Sequence, residues 1–256
     1  MKMSQWSDMY RQKLTTPEKA VELVKSGDWV DYGMATSQPI LLDKALAGRK
    51  EELKDVKVRM SFSFAPRQVV ECDPNRETFT AMNWHMSGYD RKLCAKGLMN
   101  FIPMCYRNEP SMYRNILDVD VAMITVAPMD KHGFFNFGLN ISANEAITKK
   151  AKKVIVEVNE AMPRALGGRG EHIHISDVAA VVEAGSLPMP TIPFKTGDAV
   201  DTAIAEMIVK TIPDGATLQL GVGGLPNTVG AMIAESDLKN LGMHTEMLVD
   251  AFYLMY

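Results

Sequence analysis

The chain has 256 residues, 46% of them hydrophobic and 23% charged, with 18 Gly, 13 Pro and a formal net charge of −3. Those proportions exclude a disordered, collagen-like or coiled-coil chain and fit one large globular domain or somewhat less than two ordinary ones. With 28 Lys and Arg against 31 Asp and Glu, there is no broad electrostatic footprint for nucleic acid or an anionic membrane surface.

No run approaches the roughly 20 apolar residues needed to span a bilayer, and the opening MKMSQWSDMY has no signal-peptide core. A cytoplasmic protein with neither nucleic-acid nor membrane partner is therefore expected. Cys72, Cys94 and Cys105 form no C-x-x-C pair, so free buried thiols are expected rather than a disulfide framework or a zinc clip.

In chain order, Thr15-Thr16-Pro17-Glu18 opens a helix carrying Ala20, Val21, Leu23 and Val24, with Gly27 as its stop. An extended run over 28–33 leads through Met34-Ala35-Thr36-Ser37-Gln38-Pro39 into a helix over 40–46. Val56, Val58, Met60, Phe62 and Phe64 alternate with Lys57, Arg59, Ser61 and Ser63, which predicts a strand with one buried face. The continuous β-branched runs 119–126 and 154–158 suit strands covered on both faces, with a helix predicted over 144–152 between them. This alternation predicts an α/β fold, an open, largely parallel sheet with flanking helices.

The segment SLPMPTIPFKTG over 186–197 reads as a linker, placing a first domain at 1–185 and the start of a second at 198–256. The second part has a helix over 201–211, an extended run over 216–220, a glycine loop and a helix over about 226–235. That order repeats the start of the chain. An offset of 188 brings Gly215 onto Gly27, Leu218 onto Val30 and Gly221 onto Gly33, while an offset of 185 brings Leu238-Lys239 onto Leu53-Lys54 and Glu246 onto Ser61. A second, similar α/β domain is expected to begin here, with too few residues to close a core of its own.

The loop Gly221-Val222-Gly223-Gly224-Leu225-Pro226-Asn227 lies between a predicted strand and a predicted helix. Its glycines allow close backbone approach and the free N–H groups at the helix start favour anionic oxygens. With Pro at 226 it is not the dinucleotide fingerprint, and by itself it admits both a tight turn and a ligand loop. Glu246, in a predicted strand over 243–249, would lie in the same strand-turn-helix-strand unit, where loop and carboxylate can share one crevice.

Other candidates are less specific. Gln38 occupies the first half's counterpart of the glycine loop and is a pocket candidate. His85 and His132 sit in glycine- and aromatic-rich turns, which either line a pocket or simply turn the chain. His172 and His174 share one side of a predicted strand without a placed third ligand, so packing is expected and no metal. The Lys149-Lys150, Lys152-Lys153 run reads as a solvated helix end.

The loop 221–227, followed by Leu241-Gly242-Met243-His244-Thr245-Glu246-Met247, resembles the signature of the acetyl-CoA hydrolase/transferase family, above all its butyryl-CoA:acetate and 4-hydroxybutyrate CoA-transferases. Trp84-His85-Met86-Ser87-Gly88, Val126-Ala127-Pro128-Met129-Asp130, His132-Gly133-Phe134-Phe135-Asn136-Phe137-Gly138 and Val156-Glu157-Val158-Asn159-Glu160 extend the resemblance along nearly the whole chain. It implies that Glu246 is the catalytic glutamate and that Gly221, Val222, Gly223, Gly224 and Leu225 bind CoA, with the Gly223 and Gly224 backbone a source of oxyanion donors. Acyl-CoA and a short-chain carboxylate are the implied partners. Coenzyme A is then a substrate, no cofactor stays bound, and the full-length protein is expected to form homo-oligomers. Hydrolysis through the same glutamate and a non-catalytic CoA-binding role stay open. Family members continue well past this glutamate, so the chain is expected to be a fragment with little or no activity by itself.

Overall fold

A computed structural model describes residues 5–168 and 170–256. The chain divides into two compact units, one ending at Pro190 and one starting at Thr191.

The first unit opens with helix α1 (Gln5–Lys13), then α2 (Pro17–Ala20), where Pro17 takes the first turn and the Thr16 hydroxyl accepts the Lys19 N–H. A helix was expected to run on toward Gly27. Instead it tightens into a 3₁₀ turn over Val21–Leu23, and Val24 is already extended. There follow β1 (Trp29–Met34), α3 (Leu41–Ala47), β2 (Val56–Ser61), α4 (Gln68–Glu71), β3 (Phe79–Asn83), α5 (Gly88–Ala95), β4 (Asn100–Phe101), α6 (Glu109–Asn115) and β5 (Val121–Val126). The strand β6 (Phe134–Asn136), α7 (Asn144–Lys150), β7 (Lys153–Val158), β8 (His172–His174) and β9 (Ala180–Glu183) complete the unit.

Seven strands form one parallel sheet in the order β4-β3-β2-β1-β5-β7-β9, while β6 and β8 pair antiparallel beside it. The open parallel α/β sheet expected from the sequence is therefore the observed fold. β5 and β7 are buried along nearly their whole length, as the continuous apolar runs require. One apolar cluster, with Val30, Tyr32, Leu42, Val58 and Phe79, covers one face, and a second, with Trp84, Tyr113, Ile124, Phe135 and Val156, covers the other.

β2 departs from the sequence expectation. Its alternation predicts one solvated face, yet Arg59 and Ser61 are buried together with Val58 and Met60. Arg59 is accommodated because Asp31, its register partner on β1, takes two of its hydrogen bonds, from Nε at 2.9 Å and Nη2 at 2.6 Å. The strand ends at Ser61 rather than at Phe64, since Phe62 turns into the left-handed region at φ 50°.

The second unit contains α8 (Ala199–Val209), β10 (Thr217–Leu218), α9 (Gly224–Ala234), β11 (Gly242–Met243) and α10 (Asp250–Met255), packed around Ala205, Leu220, Val229, Ile233 and Ala251. Asp198 caps α8 with a reciprocal box to Asp201. β10 and β11 are parallel, as β1 and β2 are. The two halves also repeat each other's hydrogen bonds at the offsets read from the sequence. The Gly27 N–H donates to the Lys54 carbonyl and the Gly215 N–H to the Lys239 carbonyl, both at 2.9 Å, and both glycines have positive φ. The Lys54 N–H goes to the Ser26 hydroxyl, and the Lys239 N–H to the carboxylate of Asp214, 188 positions after Ser26.

Candidate functional site

In the second unit the glycine loop joins the carboxyl end of β10 to α9, and the structure requires two of its three glycines for different reasons. Gly223 adopts φ 142°, where a side chain is strained. Gly224 lies under the incoming chain: a Cβ there would stand 3.0 Å from the Gly197 Cα. That crossing is held by the Gly197 N–H on the Thr228 hydroxyl at 2.8 Å and by Asn227 Nδ2 on the Lys195 carbonyl at 2.8 Å. Gly221 meets nothing nearer than Pro226 at 3.8 Å, so space does not explain it. The helix start has no side-chain cap, and Pro226 has no N–H, so the N–H groups of the first turn are left for a ligand or solvent. Val222 is half-exposed at the tip.

The strand predicted over 243–249 is only two residues long, Gly242–Met243, and Glu246 stands in an exposed bend beyond it. The reason is local. The His244 N–H still pairs with the Leu218 carbonyl at 3.0 Å, but the Thr245 hydroxyl turns to both the Leu220 carbonyl at 3.3 Å and the Met247 carbonyl at 3.0 Å, curling the chain. Leu220 immediately precedes Gly221 and Thr245 immediately precedes Glu246. One side-chain hydrogen bond thus ties the root of the glutamate to the root of the glycine loop, at the carboxyl ends of two parallel strands.

In the first unit the order of the sheet reverses between β1 and β5, the kind of switch point where open α/β sheets bind ligands. Gln38 follows β1 there. Its Nε2 donates to the Ser61 carbonyl at 2.7 Å and its own carbonyl accepts from the Thr125 hydroxyl at 3.2 Å. The loop is pinned from two sides, with Arg67 Nη1 on the Pro39 carbonyl at 2.9 Å and the Glu157 carboxylate accepting the N–H groups of Ile40 and Leu42 at 2.8 and 2.9 Å. Burial pushes the Glu157 carboxyl up, and those N–H groups pull it back down. Gln38 Oε1, Ser61 Oγ, Thr36 Oγ1 and Asn83 Nδ2 are buried at this edge without a partner, and Ala35 and Phe62 hold left-handed backbone beside them. Unsatisfied polar atoms and backbone strain at one edge are features of a ligand-binding surface.

Residues 1–193 match the acetyl-CoA hydrolase/transferase N-terminal domain. The chain belongs to the acetyl-CoA hydrolase/transferase family. It is 50% identical to the butyryl-CoA:acetate CoA-transferase of Anaerostipes caccae, covering 96% of this chain and 56% of that protein. It is 34% identical to the 4-hydroxybutyrate coenzyme A transferase of Clostridium kluyveri, over 96% of this chain and 56% of that one. The crystal structure of RipA from Yersinia pestis superposes with a TM-score of 0.87 at 32% identity, over 98% of this chain and 59% of that chain. The chain thus spans about half the length of the relatives it matches.

Within this acetyl-CoA hydrolase/transferase chain the remaining candidates separate. His85 lies at the same sheet edge as Gln38: its carbonyl accepts the Phe62 N–H at 2.6 Å, its ring packs on Phe62 at 5.0 Å, and it is exposed. His132 does not join them. It sits in an exposed turn before β6, its N–H on Asp130 Oδ1 at 2.8 Å, and the neighbouring Gly133 packs on Trp6 and His174. His172 and His174 clasp Phe134, at 4.6 and 4.8 Å between ring centres. Among the described residues no three His, Cys, Asp or Glu side chains are grouped to hold a metal, and no helix is long and apolar enough to cross a membrane. Cys72 and Cys94 are half-buried as free thiols, but Cys105 is exposed, against the expectation of burial, because it lies in the surface segment after β4.

Sequence reasoning missed Glu157, the Arg67 strut and the Asp31–Arg59 pair. A signal existed for Glu157: a single acid inside the apolar run 154–158 must find donors if the strand is covered on both faces.

Proposed function

We propose that this chain carries the nucleophile and the CoA loop of an acyl-CoA:carboxylate CoA-transferase that moves CoA from butyryl-CoA to acetate. The observation that carries the reading is the strand-end geometry joining Glu246 to the 221–225 loop, in a chain 50% identical to a butyryl-CoA:acetate CoA-transferase.

A carboxylate is ionised at neutral pH and needs no general base. A Glu246 oxygen attacks the butyryl carbonyl, the carbon–sulfur bond breaks, and CoA leaves as thiolate with a mixed anhydride formed. The thiolate then attacks the glutamyl carbonyl of that anhydride, releasing butyrate and leaving a glutamyl-CoA thioester. Acetate reverses the sequence: it attacks the thioester to give an acetyl-glutamyl anhydride, and the thiolate takes the acetyl group, restoring the carboxylate. The kinetics are therefore ping-pong. Each tetrahedral intermediate needs donors for its oxyanion, a role assigned to the Gly223 and Gly224 N–H groups. The polar edge around Gln38 and Ser61, with His85 beside it, is assigned a ligand-binding role within the first unit. Coenzyme A is a substrate, and no resident cofactor takes part. The reaction belongs in the cytoplasm, and homo-oligomers are expected of the full-length protein.

Formation of the glutamyl-CoA thioester is a single half-reaction and does not require sustained turnover, so incubating the 256-residue chain with butyryl-CoA alone, then with borohydride, tests this reading by mass spectrometry of the peptide containing Glu246. A reduced Glu246 side chain is expected. CoA binding without an adduct identifies a binding module instead, and thiol release that ignores acetate identifies a hydrolase.

A further inference from the structure

On the sheet face opposite α3, α6 is fastened by two acids. The Tyr113 hydroxyl donates to Asp31 in a short hydrogen bond, and Trp84 Nε1 donates to Glu109 Oε1 at 3.1 Å. The Trp84 and Tyr113 rings meet edge to face at 5.8 Å, so the two fastenings touch. Their charges are unequally matched. Asp31 is paired with Arg59, whose guanidinium also reaches the Asp118 carbonyl and stacks on the rings of Trp29 at 4.7 Å and Tyr113 at 5.4 Å. Among the described residues no cation pairs with Glu109.

Glu109 is 1% exposed and its Oε2 has no partner. Burial raises its carboxyl to about 7, and the Asp31 carboxylate adds to the rise while the Trp84 hydrogen bond opposes it. On its sheet side the charge that acts on it is the Asp31 carboxylate of β1, itself paired with Arg59 of β2. Around α6, Arg114 with Glu145 and Lys149 of α7 lines a separate surface groove, and Lys149 is held by Glu145 at 2.6 Å. His85 follows Trp84 in the chain, but its ring is turned onto Phe62.

Asn108 provides no side-chain cap for α6, and the Glu109 N–H bonds back to the Tyr106 carbonyl of the preceding 3₁₀ turn. Trp84, Asn108 and Met112, together with Met82, Ile102 and the guanidinium-bearing Arg59, line a largely apolar pocket of about 370 Å³. We propose that Glu109 is a proton-operated latch: neutral, it holds the first turn of α6 on Trp84, and on losing its proton to solvent it draws that turn outward and opens the apolar pocket. An ionised Glu109 left in place would be a buried anion with no cation paired to it, beside a second carboxylate, a cost that admitting water relieves. The inference is independent of the transferase reading, because neither Glu109 nor Trp84 belongs to the proposed reaction.

The test is a pH titration, from 5.5 to 8.5, of the Trp84 indole N–H resonance in ¹⁵N-tryptophan-labelled protein, assigned by its loss in Trp84→Phe. The expected result is a shift with a midpoint near neutral pH, accompanied by at least about tenfold faster amide exchange at Glu109, Ser111 and Met112 above the midpoint than intrinsic base catalysis explains. Glu109→Gln removes both, and His85→Gln leaves both in place. An invariant wild-type resonance overturns the proposal without need of any variant. So does a titration that survives Glu109→Gln, one lost in His85→Gln, or one without the added exchange.

Discussion

Replacing Arg59 by methionine should be among the most damaging single changes in the first unit, and replacing its partner as well should restore much of the loss. Asp31 is 1% exposed and Arg59 2% exposed, with hydrogen bonds of 2.6 and 2.9 Å between them. Arg59→Met leaves the Asp31 carboxylate with only the Tyr113 hydroxyl. Asp31→Asn leaves a buried guanidinium with one backbone carbonyl and two aromatic faces. Each uncompensated charge costs about 3–5 kcal/mol, so additive singles would sum to about 6–10 kcal/mol, comparable with the whole stability of a typical domain. Neither charge survives in Asp31→Asn/Arg59→Met, which should cost about 2–4 kcal/mol, chiefly from imperfect packing. Urea unfolding followed by tryptophan fluorescence measures the cycle, because Trp29 lies on the Arg59 guanidinium and Trp84 on Tyr113. A single variant too unstable to fold beside a double variant with a cooperative transition carries the same sign. A double variant destabilised by the sum of the singles would refute the reasoning, since the two charges would then be independent.

Stability should fall as pH rises from about 4.5 to about 7 through Glu109, whose folded carboxyl titrates at about 7 against an ordinary 4.5. In that window the native state binds more protons than the unfolded one, so the loss is absent below it, grows across it to about 3 kcal/mol, and stays constant above it. Comparing the pH dependence of urea unfolding in Glu109→Gln with that of the parent isolates this contribution. Gly138→Ala, at φ 69° and with Met162 Sδ where the new methyl would stand, should cost about 2–4 kcal/mol by thermal unfolding. Glu246→Gln, in an exposed bend, should leave stability within about 0.5 kcal/mol while abolishing the borohydride-sensitive adduct. A large drop in stability there would mean that the glutamate is structural.

Local sequence carried far where an element's environment is uniform. β5 and β7 were legible because a strand covered on both faces needs no alternation, only length and β-branched residues. The repeat was legible because Gly27 and Gly215 each turn the chain into a strand at positive φ with the same backbone hydrogen bond. Reading failed where a distant partner changes a residue's meaning. Arg59 looks like the solvated face of β2 until Asp31, 28 positions away, is paired with it in register across two parallel strands. Glu109 looks like an ordinary acid in a first helical turn, where the dipole would favour its charge, until Trp84 and Asp31 enclose it. The candidate site divides along the same line. The glycine loop and Glu246 belong to one short strand-loop-helix-strand unit, so their proximity at the strand ends follows from sequence order. The exact position of Glu246 does not, because the Thr245 hydroxyl bends the chain where apolar spacing alone predicts three more pairs of strand residues. At the other edge, Gln38 is held by Glu157 and Arg67 through backbone groups of residues 39, 40 and 42, which no pattern of side chains displays. Residue type at a strand end therefore marks where chemistry is expected, whereas the buried charges that fix its geometry depend on the donor that each buried acid meets across the sheet.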